Sequence, residues 1–325
     1  MQTDSSNISK TRHVKPKEVN HLNSGEKYQQ ETKTPVLVCG LLATDIVFNV
    51  NAIPTEAVKY RAENVALTCG GGGCYASVAI NRLGGCSTIL SKIGNDKFGE
   101  LILDALDSEG IDHTNVIIDQ HTHTPISSIV MDQMGERQII NYRDQTPTVF
   151  VRELLTCSSQ RAVLVDARWI EGSVFSLEYA KSQSIPGVVD AEAPVSEDAM
   201  ALATHIAFSR QGLSQFASTD SISDGLQHAA KRFSAWICVT DGENGTHVWS
   251  NGHLQSIPAP IINSVDTLGA GDVWHGAFTL QLAQGVDELS AVKFANVVAA
   301  MKCTRAGGGW SAPELSEVNK FYGTG

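Results

Sequence analysis

The chain has 325 residues, of which 42% are apolar, and a formal net charge of −11. This length and apolar content suffice for a full hydrophobic core, either in one large domain with a small appendage or in two domains. The negative charge argues against a nucleic-acid or anionic-membrane surface, because phosphate groups repel a negatively charged protein. The composition therefore favours a small-molecule partner.

The N-terminal segment and the cysteines indicate the compartment. Residues 1–33 are rich in Ser, Thr, Asn, Lys and Gln and lack the apolar segment of a secretory signal, so we expect a disordered leader without catalytic function. No apolar run is long enough to cross a bilayer. The seven cysteines form no C-x-x-C pair, which argues against a disulfide framework or a zinc site. We expect a cytoplasmic protein with reduced thiols.

After the leader, short apolar runs alternate with helical patterns, which is typical of β-α units around a mainly parallel sheet. The predicted strands are 36–39, 88–90, 162–165, 187–190, 205–208 and 236–240. The predicted helices are 75–83, 98–109, 174–182, 222–233, 271–283 and 289–303. The sequence therefore predicts an α/β fold.

Two segments depart from this rhythm. Residues 45–68 and 125–143 alternate in polarity, and the second contains a turn at Gly135, as is typical of antiparallel strands. We expect them to form a small sheet that projects from the core. Ligands of open α/β sheets bind at the carboxyl ends of the strands, so this sheet would act as a lid. Its exposed edge also favours a lid-mediated homodimer.

The segment V-D-T-L-G-A-G-D-V-W-H-G, residues 265–276, precedes the predicted helix that starts at Gly271. The backbone N–H groups of residues 269–272 would lie at the positive end of that helix without helical partners, which forms an anion cradle. Asp272 would face the bound anion and accept the proton of a hydroxyl that attacks phosphorus. Alone, the pattern also fits a simple turn before an acidic helix start.

The same segment resembles the D-T-x-G-A-G-D signature of the ribokinase-like (PfkB) sugar kinases. The resemblance implies a three-layer α/β/α sandwich with a mainly parallel central sheet and a small β-sheet lid. It assigns the role of catalytic base to Asp272 and the anion hole to Gly269, Ala270 and Gly271. The implied domain consists of a core (34–44, 69–124 and 144–325) and a lid (45–68 and 125–143).

A glycine-rich stretch at residues 68–85 resembles the first signature of these kinases, a double glycine that opens an Ala-rich helix ending in R-L-G. The family usually places Asn and Ala after the glycine pair and a second Asn three residues later, where this chain has Gly72, Gly73 and Tyr75. The resemblance implies that backbone groups of Gly71 and Gly72 contact the substrate. It also assigns to Asp45, after the first strand, the binding of two sugar hydroxyls.

The segment V-T-D-G-E-N-G, residues 239–245, resembles the turn that lies beside ATP in these kinases. The resemblance implies ATP contacts by Ser209, Thr240, Gly242 and Gly245, and Mg²⁺ as a second cofactor. Ser209 begins the segment S-R-Q-G, where the family has N-x-x-E, a motif that holds Mg²⁺ through water. In its absence, ATP phosphates and solvent would supply most of the octahedral shell.

The chain lacks the motifs of two other nucleotide-binding classes. The turn after the first strand, residues 40–45, has no G-x-G-x-x-G, which argues against a dinucleotide-binding dehydrogenase. The chain also has no G-x-x-x-x-G-K-[ST] phosphate loop.

Four further segments resemble the bacterial sulfofructose kinases, which phosphorylate the C1 hydroxyl of 6-deoxy-6-sulfofructose. They are P-T-E-A-V-K-Y (54–60), G-E-R-Q-I-I-N-Y (135–142), D-A-R-W (166–169) and K-C-T-R-A-G-G (302–308). The resemblance implies a sulfonate pocket of Lys59, Asn141 and Arg168, whose ammonium, amide and guanidinium suit three acceptor oxygens.

The same trio of side chains fits a phosphate nearly as well. Fructose 6-phosphate therefore stays open as the substrate, as does an uncharged ketose such as fructose, another sugar or a nucleoside. A catalytically silent sugar- or nucleotide-binding protein on the same fold also stays open, because N-x-x-E is missing and the glycine segment is altered. For the kinase, the expected partners are a sugar and ATP.

Overall fold

The computed structural model describes residues 33–134, 136–144 and 159–323. Residues 1–32 of the expected leader lie outside the described residues, and so does Gly135 of the expected lid turn. The leader and the boundary between core and lid therefore remain predictions.

Strands and helices alternate along most of the chain. The strands are β1 (Thr34–Cys39), β2 (Ala43–Asn49), β3 (Asn64–Gly70), β4 (Gly85–Gly94), β5 (Asp112–Asp119), β6 (Ile126–Met131), β7 (Arg137–Tyr142), β8 (Ala162–Val165), β9 (Gly187–Ala191), β10 (His205–Ser209), β11 (Trp236–Thr240), β12 (Thr246–Ser250) and β13 (His253–Ile257). The helices are α1 (Gly72–Arg82), α2 (Lys97–Ser108), α3 (Ile170–Gln183), α4 (Glu197–Leu202), α5 (Arg210–Ala217), α6 (Ile222–Arg232), α7 (Ala270–Ala283), α8 (Glu288–Cys303) and α9 (Leu315–Gly323).

The strands form two sheets. The large sheet has the order β13-β12-β11-β10-β9-β8-β1-β4-β5 and is parallel from β11 to β5, with β12 and β13 antiparallel at one edge. The small sheet has the order β3-β2-β6-β7. This is the expected ribokinase-like arrangement of a mainly parallel sheet with a separate smaller sheet, the lid.

Helices cover both faces of the large sheet. Along β1, Val36 and Val38 pack in one cluster with residues of α1, α7 and α8, whereas Leu37 and Cys39 pack in a second cluster with residues of α3, α5 and α6. Successive side chains of a strand point to opposite faces, so a strand between two helix layers is apolar throughout. The three-layer sandwich expected from the sequence is confirmed.

All six predicted strands and all six predicted helices are present, with ends shifted by a few residues. The sequence reading missed β5, the hairpin of β12 and β13, and the helices α4, α5 and α9. These elements are short or lie at an edge, where polar residues obscure the apolar periodicity. His113 lies in β5, and its Nε2 is 2.8 Å from Asp107 Oδ1.

The parallel strands bring distant residues to one edge of the sheet. Their carboxyl ends lie at the same edge, so the residues that follow β1, β8 and β9 meet there. The N-terminal ends of α1 and α7 also reach this edge, because Gly72, Asp166, Asp190 and Asp272 line one small cavity. None of the helices within the described ranges is both long and apolar enough to cross a membrane.

Candidate active site

The start of α7 is set by a glycine. The helix begins at Ala270, one residue before the predicted start, and Gly269 caps it in the left-handed conformation with φ 74°. A Cβ at residue 269 would lie 2.7 Å from Tyr75 Cδ2 and 2.9 Å from Gly309 N. Glycine is required here both by the backbone conformation and by the close packing. The turn places Asp272 in the first turn of the helix.

The amides at this helix start differ in their hydrogen bonds. The Ala270 N–H donates to Thr267 O at 3.2 Å, so the expectation of a free amide at residue 270 is wrong: the turn that leads into the helix uses it. Within the described part of the chain, the N–H groups of Gly269, Gly271 and Asp272 have no backbone acceptor. These three amides can bind an anion at the positive end of α7.

The carboxylate of Asp272 lies among other acids. Desolvation raises its pKa to about 7, and the negative charges of Asp190, Glu192 and Asp166 act in the same direction. The interaction with His275 lowers the pKa of Asp272. Because the usual pKa of an aspartate lies near 4, Asp272 is poised to exchange a proton close to neutral pH.

Gly72 leaves space beside this carboxylate. A Cβ at residue 72 would lie 3.0 Å from Asp272 Oδ1 and 3.2 Å from Asp166 Oδ2. The neighbouring Gly71 caps α1 with φ 92°, and a Cβ there would lie 2.3 Å from Leu41 O. A hydroxyl bound over the Gly72 Cα would therefore be in reach of Asp272.

Asp166 fixes the loop that follows β1. Its Oδ2 accepts a hydrogen bond from Leu41 N at 2.6 Å, and its Oδ1 accepts one from Arg168 N at 3.0 Å. Burial raises the pKa of Asp166, and these two hydrogen bonds act against the rise. Asp166 thus links the ends of β1 and β8 beneath the site.

The lid presents a polar row on one face. The strand register puts Asp45 beside Ser127 and Ser127 beside Asn141, and residues paired in this way point to the same face. Asp45 is buried, and the Tyr75 hydroxyl donates to its Oδ2 at 3.1 Å. Burial raises the pKa of Asp45, whereas hydrogen bonds from Ser127 and Tyr75 lower it. Asp45 and Asn141 therefore share the face that lies over Tyr75.

The three residues expected to bind an anionic group have different surroundings. Asn141 is exposed on the inner face of the lid. Arg168 donates from Nη1 to Ala193 O at 2.9 Å and pairs through Nη2 with Glu192, so its charge is partly compensated. Lys59 is exposed in the loop between β2 and β3, and no hydrogen bond or ion pair of the described residues joins it to the other two.

Two arginines of the lid were missed by the sequence reading. Arg137 Nη2 donates to Thr267 Oγ1 at 3.1 Å, which joins β7 to the turn before α7. Burial lowers the pKa of Arg143, and the positive charge of Arg168 lowers it further. The alternation along β7 could have placed Arg137 on the face of Asn141.

A cavity of about 630 Å³ lies beside the start of α7, and its volume is within the size range of small-molecule sites. Three of the four residues expected to contact ATP line it, Thr240, Gly242 and Gly245, and so do Ala270 and Gly271. The cavity and Asp272 therefore meet at the first turn of α7.

Ser209, the fourth residue expected to contact ATP, does not line this cavity. Its hydroxyl accepts a hydrogen bond from Gly212 N at 3.0 Å and caps α5. The sequence reading missed this role because a helix as short as α5 was not predicted.

Asn296 is a cavity residue that the sequence did not reveal. Its Oδ1 accepts hydrogen bonds from Thr246 Oγ1 at 2.7 Å and Trp274 Nε1 at 2.8 Å, and its Nδ2 donates to Ile257 O at 3.1 Å. The side chain thereby joins α7, α8 and the β12–β13 hairpin. No local motif marks it, because its partners are distant in sequence.

Asp266 and Lys302 hold the turn before α7. The Asp266 carboxylate accepts hydrogen bonds from Gly307 N at 3.1 Å and Gly308 N at 2.8 Å. The Lys302 ammonium is fully buried and donates to Asp266 O at 2.7 Å. These contacts fix the D-T-L-G-A-G-D segment against the loop at residues 307–309.

The described residues contain no group of three or more His, Cys, Asp or Glu side chains arranged to hold a metal ion. The acids around Asp272 therefore do not by themselves fit Mg²⁺. Donors from a bound ligand would be needed to complete its shell.

A family model described as pfkB family carbohydrate kinase matches residues 33–315. The chain belongs to this family. It is 26% identical over 293 residues to the ribokinase of Bacillus subtilis, an alignment that covers 88% of this chain and 98% of the relative. It is 27% identical over 291 residues to fructokinase-2 of Oryza sativa, covering 79% of this chain and 86% of that enzyme.

The fold is likewise that of a solved family structure. Arabidopsis thaliana ribokinase, determined in complex with ribose and ATP, superposes with a TM-score of 0.77. The superposition covers 89% of this chain and 98% of the ribokinase, at 19% identity. The expected PfkB carbohydrate kinase assignment is thus confirmed at the level of family, fold and enzyme class.

The raised pKa of Asp272 predicts an acid limb near neutral pH. A general base acts in its ionised form, so kcat/KM measured at saturating Mg²⁺ and ATP should fall about tenfold per pH unit below about pH 7. Tryptophan fluorescence across the same range is the control for unfolding. A profile that stays flat to about pH 5 would show that Asp272 has the ordinary pKa of an aspartate.

Proposed function

We propose that this protein transfers the γ-phosphoryl group of ATP to a sugar hydroxyl, with Asp272 as the general base. The observation that carries the proposal is the position of Asp272, beside the side-chain-free backbone of Gly72 and in a helix whose start lines the large cavity. Asp272 removes the proton of the acceptor hydroxyl. The amides of Gly269 and Gly271 stabilise the negative charge on the transferring group.

ATP occupies the large cavity in this proposal. The volume of the cavity suits a nucleotide. Its lining includes Thr240, Gly242 and Gly245, the residues that the sequence motif assigns to ATP binding. The phosphates point towards Ala270 and Gly271 at the positive end of α7. The ATP phosphates would hold Mg²⁺, because the described side chains include no group arranged to bind it.

The sugar lies between Asp45 and Asp272. The Asp45 carboxylate has lone pairs for two hydroxyls, and the Tyr75 hydroxyl holds it in place. The backbone of Gly71 and Gly72 contacts the same sugar. Gly70 belongs to this arrangement, because a Cβ at residue 70 would lie 1.9 Å from Asp45 Oδ2.

The acceptor in this proposal is the C1 hydroxyl of an anionic ketose such as 6-deoxy-6-sulfofructose. Two features support an anionic substrate: the positive charge of Arg168 acts on Arg143, and Asn141 is on the inner face of the lid. Lys59, which is exposed in the loop between β2 and β3, is the third proposed donor. Fructose 6-phosphate, fructose, ribose and nucleosides are the competing acceptors.

ATP consumption with a panel of sulfofructose, fructose 6-phosphate, fructose and ribose tests the reaction. We expect turnover with at least one anionic ketose and a loss of about 10³-fold in kcat for Asp272→Asn, with substrate affinity retained. Asp224→Asn, in the first turn of α6, is the matched control and should behave as the wild type. Sugar binding without turnover on the whole panel would identify a silent binding protein instead.

The anion pocket is tested with Arg168→Ala. Loss of a charge-assisted hydrogen bond should raise KM for an anionic ketose roughly tenfold or more, and KM for fructose much less. Arg232→Ala is the control, because Arg232 is also paired with a glutamate but lies on α6, outside the proposed site. An equal change for both sugars would remove Arg168 from the pocket.

We also propose that the lid forms a homodimer through its outer face. The strand register puts Val65, Leu67, Ile140 and Tyr142 on the face opposite Asp45. These side chains are 57%, 51%, 70% and 49% exposed, which is unusual for neighbouring apolar residues. A second copy of the same face would cover them.

Sedimentation velocity tests this association. The wild type should sediment as a dimer, and Ile140→Asp should shift it to the monomer, because a buried unpaired charge opposes association. Leu254→Asp, on the exposed part of β13 in the large sheet, is the control and should leave the dimer intact. A wild type that sediments as a monomer at micromolar concentration would refute the lid dimer.

A further inference from the structure

His275 has an unusual set of hydrogen-bond partners. It lies on α7, one turn after Gly271, and is 2% exposed. Its Nδ1 is 2.8 Å from Gly271 O and 3.5 Å from Asp190 Oδ2. Its Nε2 is 3.3 Å from Ala207 O, at the far side of the ring. Both ring nitrogens therefore face oxygen atoms.

These partners constrain the protonation of the ring. A carbonyl oxygen only accepts, and a neutral imidazole has a single N–H, so a neutral ring would point one lone pair at a carbonyl oxygen. Burial lowers the pKa of His275 below its ordinary value, and Asp272 and the carbonyls of Ala207 and Gly271 offset only part of this effect. The hydrogen-bond geometry argues in the opposite direction, because two acceptor oxygens are satisfied only by two N–H groups. Asp190 lies within ion-pair distance of Nδ1, although burial and the neighbouring acids raise its own pKa.

The acids around Asp272 disfavour its ionised form, and a nearby cation would counteract them. Asp166 follows β8, Asp190 lies in β9 and Glu192 follows it, and all three disfavour the ionised form of Asp272. On the side of α1, Cys74 and Tyr75 carry no charge, because burial raises the pKa of both.

The other cations near these acids are arginines. Arg168 is paired with Glu192, and Arg143 interacts with Asp166 and Glu192 as well as with Arg168. The leading influences on the pKa of Asp272 include one cationic group, which is His275.

We propose that His275 is a buried imidazolium, paired with Asp190, that keeps Asp272 ionised and so ready to act as a base. It is a positioning residue, since its nitrogens contact protein oxygens and not the substrate. Its bond to Gly271 O also orients the first turn of α7, which carries the anion-binding amides. This role rests on the proposed function of Asp272.

His275→Gln tests the proposal through the pH profile. Glutamine can still donate one hydrogen bond to a carbonyl oxygen but carries no charge, so Asp272 should hold its proton more tightly. We expect the acid limb of kcat/KM to move up by about one pH unit, with activity returning towards that of the wild type above the new limb. A purely structural role would lower activity equally at every pH.

His205→Gln is the matched control. His205 is also buried and its Nε2 lies 3.7 Å from Glu288 Oε1, but it is at the opposite end of β10 from the site. Its substitution should leave the acid limb in place. A limb that does not move in His275→Gln, or that moves equally in both variants, would overturn the proposal.

NMR of the wild-type protein with nitrogen-labelled histidine is the second measurement. Both ring nitrogens of His275 should carry a proton at neutral pH, whereas one protonated nitrogen would refute the imidazolium. This readout needs no turnover and no variant, so it decides the charge of His275 even where His275→Gln does not fold. If no sugar is phosphorylated while the imidazolium is observed, the kinase proposal fails and the buried ion pair stands.

Discussion

The close approach of two helices at the carboxyl edge of the sheet determines the site. A Cβ at Gly276 of α7 would lie 2.5 Å from Ala76 O of α1, and a Cβ at Gly73 would lie 2.8 Å from Gly40 C. No side chain separates these backbones, so the helix starts converge. Gly72 consequently faces Asp272, and two positive helix ends lie beside one carboxylate.

This convergence also explains the crowding of acids. Asp166 follows β8, Asp190 lies near the end of β9, and Asp272 lies in the first turn of α7, all at the same edge of the sheet. Burial raises the pKa of each. Backbone amides of Leu41 and Arg168 compensate Asp166, whereas Asp190 lies beside His275. Desolvation, the neighbouring acids and one buried histidine together place the pKa of Asp272 near neutral pH, where a general base works best.

The lid owes its two faces to the period of a β-strand. Asp45, Ser127 and Asn141 form a polar row on one face, while Val65 and Ile140 are exposed on the other. Arg137 extends from β7 to Thr267 and thereby connects the lid to the turn before α7. A single sheet can in this way cover a polar substrate and also present an apolar surface to a partner.

The sequence by itself determined the β-α alternation, the glycine turns at residues 71 and 269, and the position of Asp272 in the first turn of a helix. These features depend on residues that are near one another in the chain. Only the tertiary structure decided the pairing of Arg168 with Glu192, the influence of Arg168 on Arg143 and the contact of His275 with Asp190. The physical reason is that such contacts depend on how strands and helices far apart in sequence pack at one sheet edge, which no local pattern encodes.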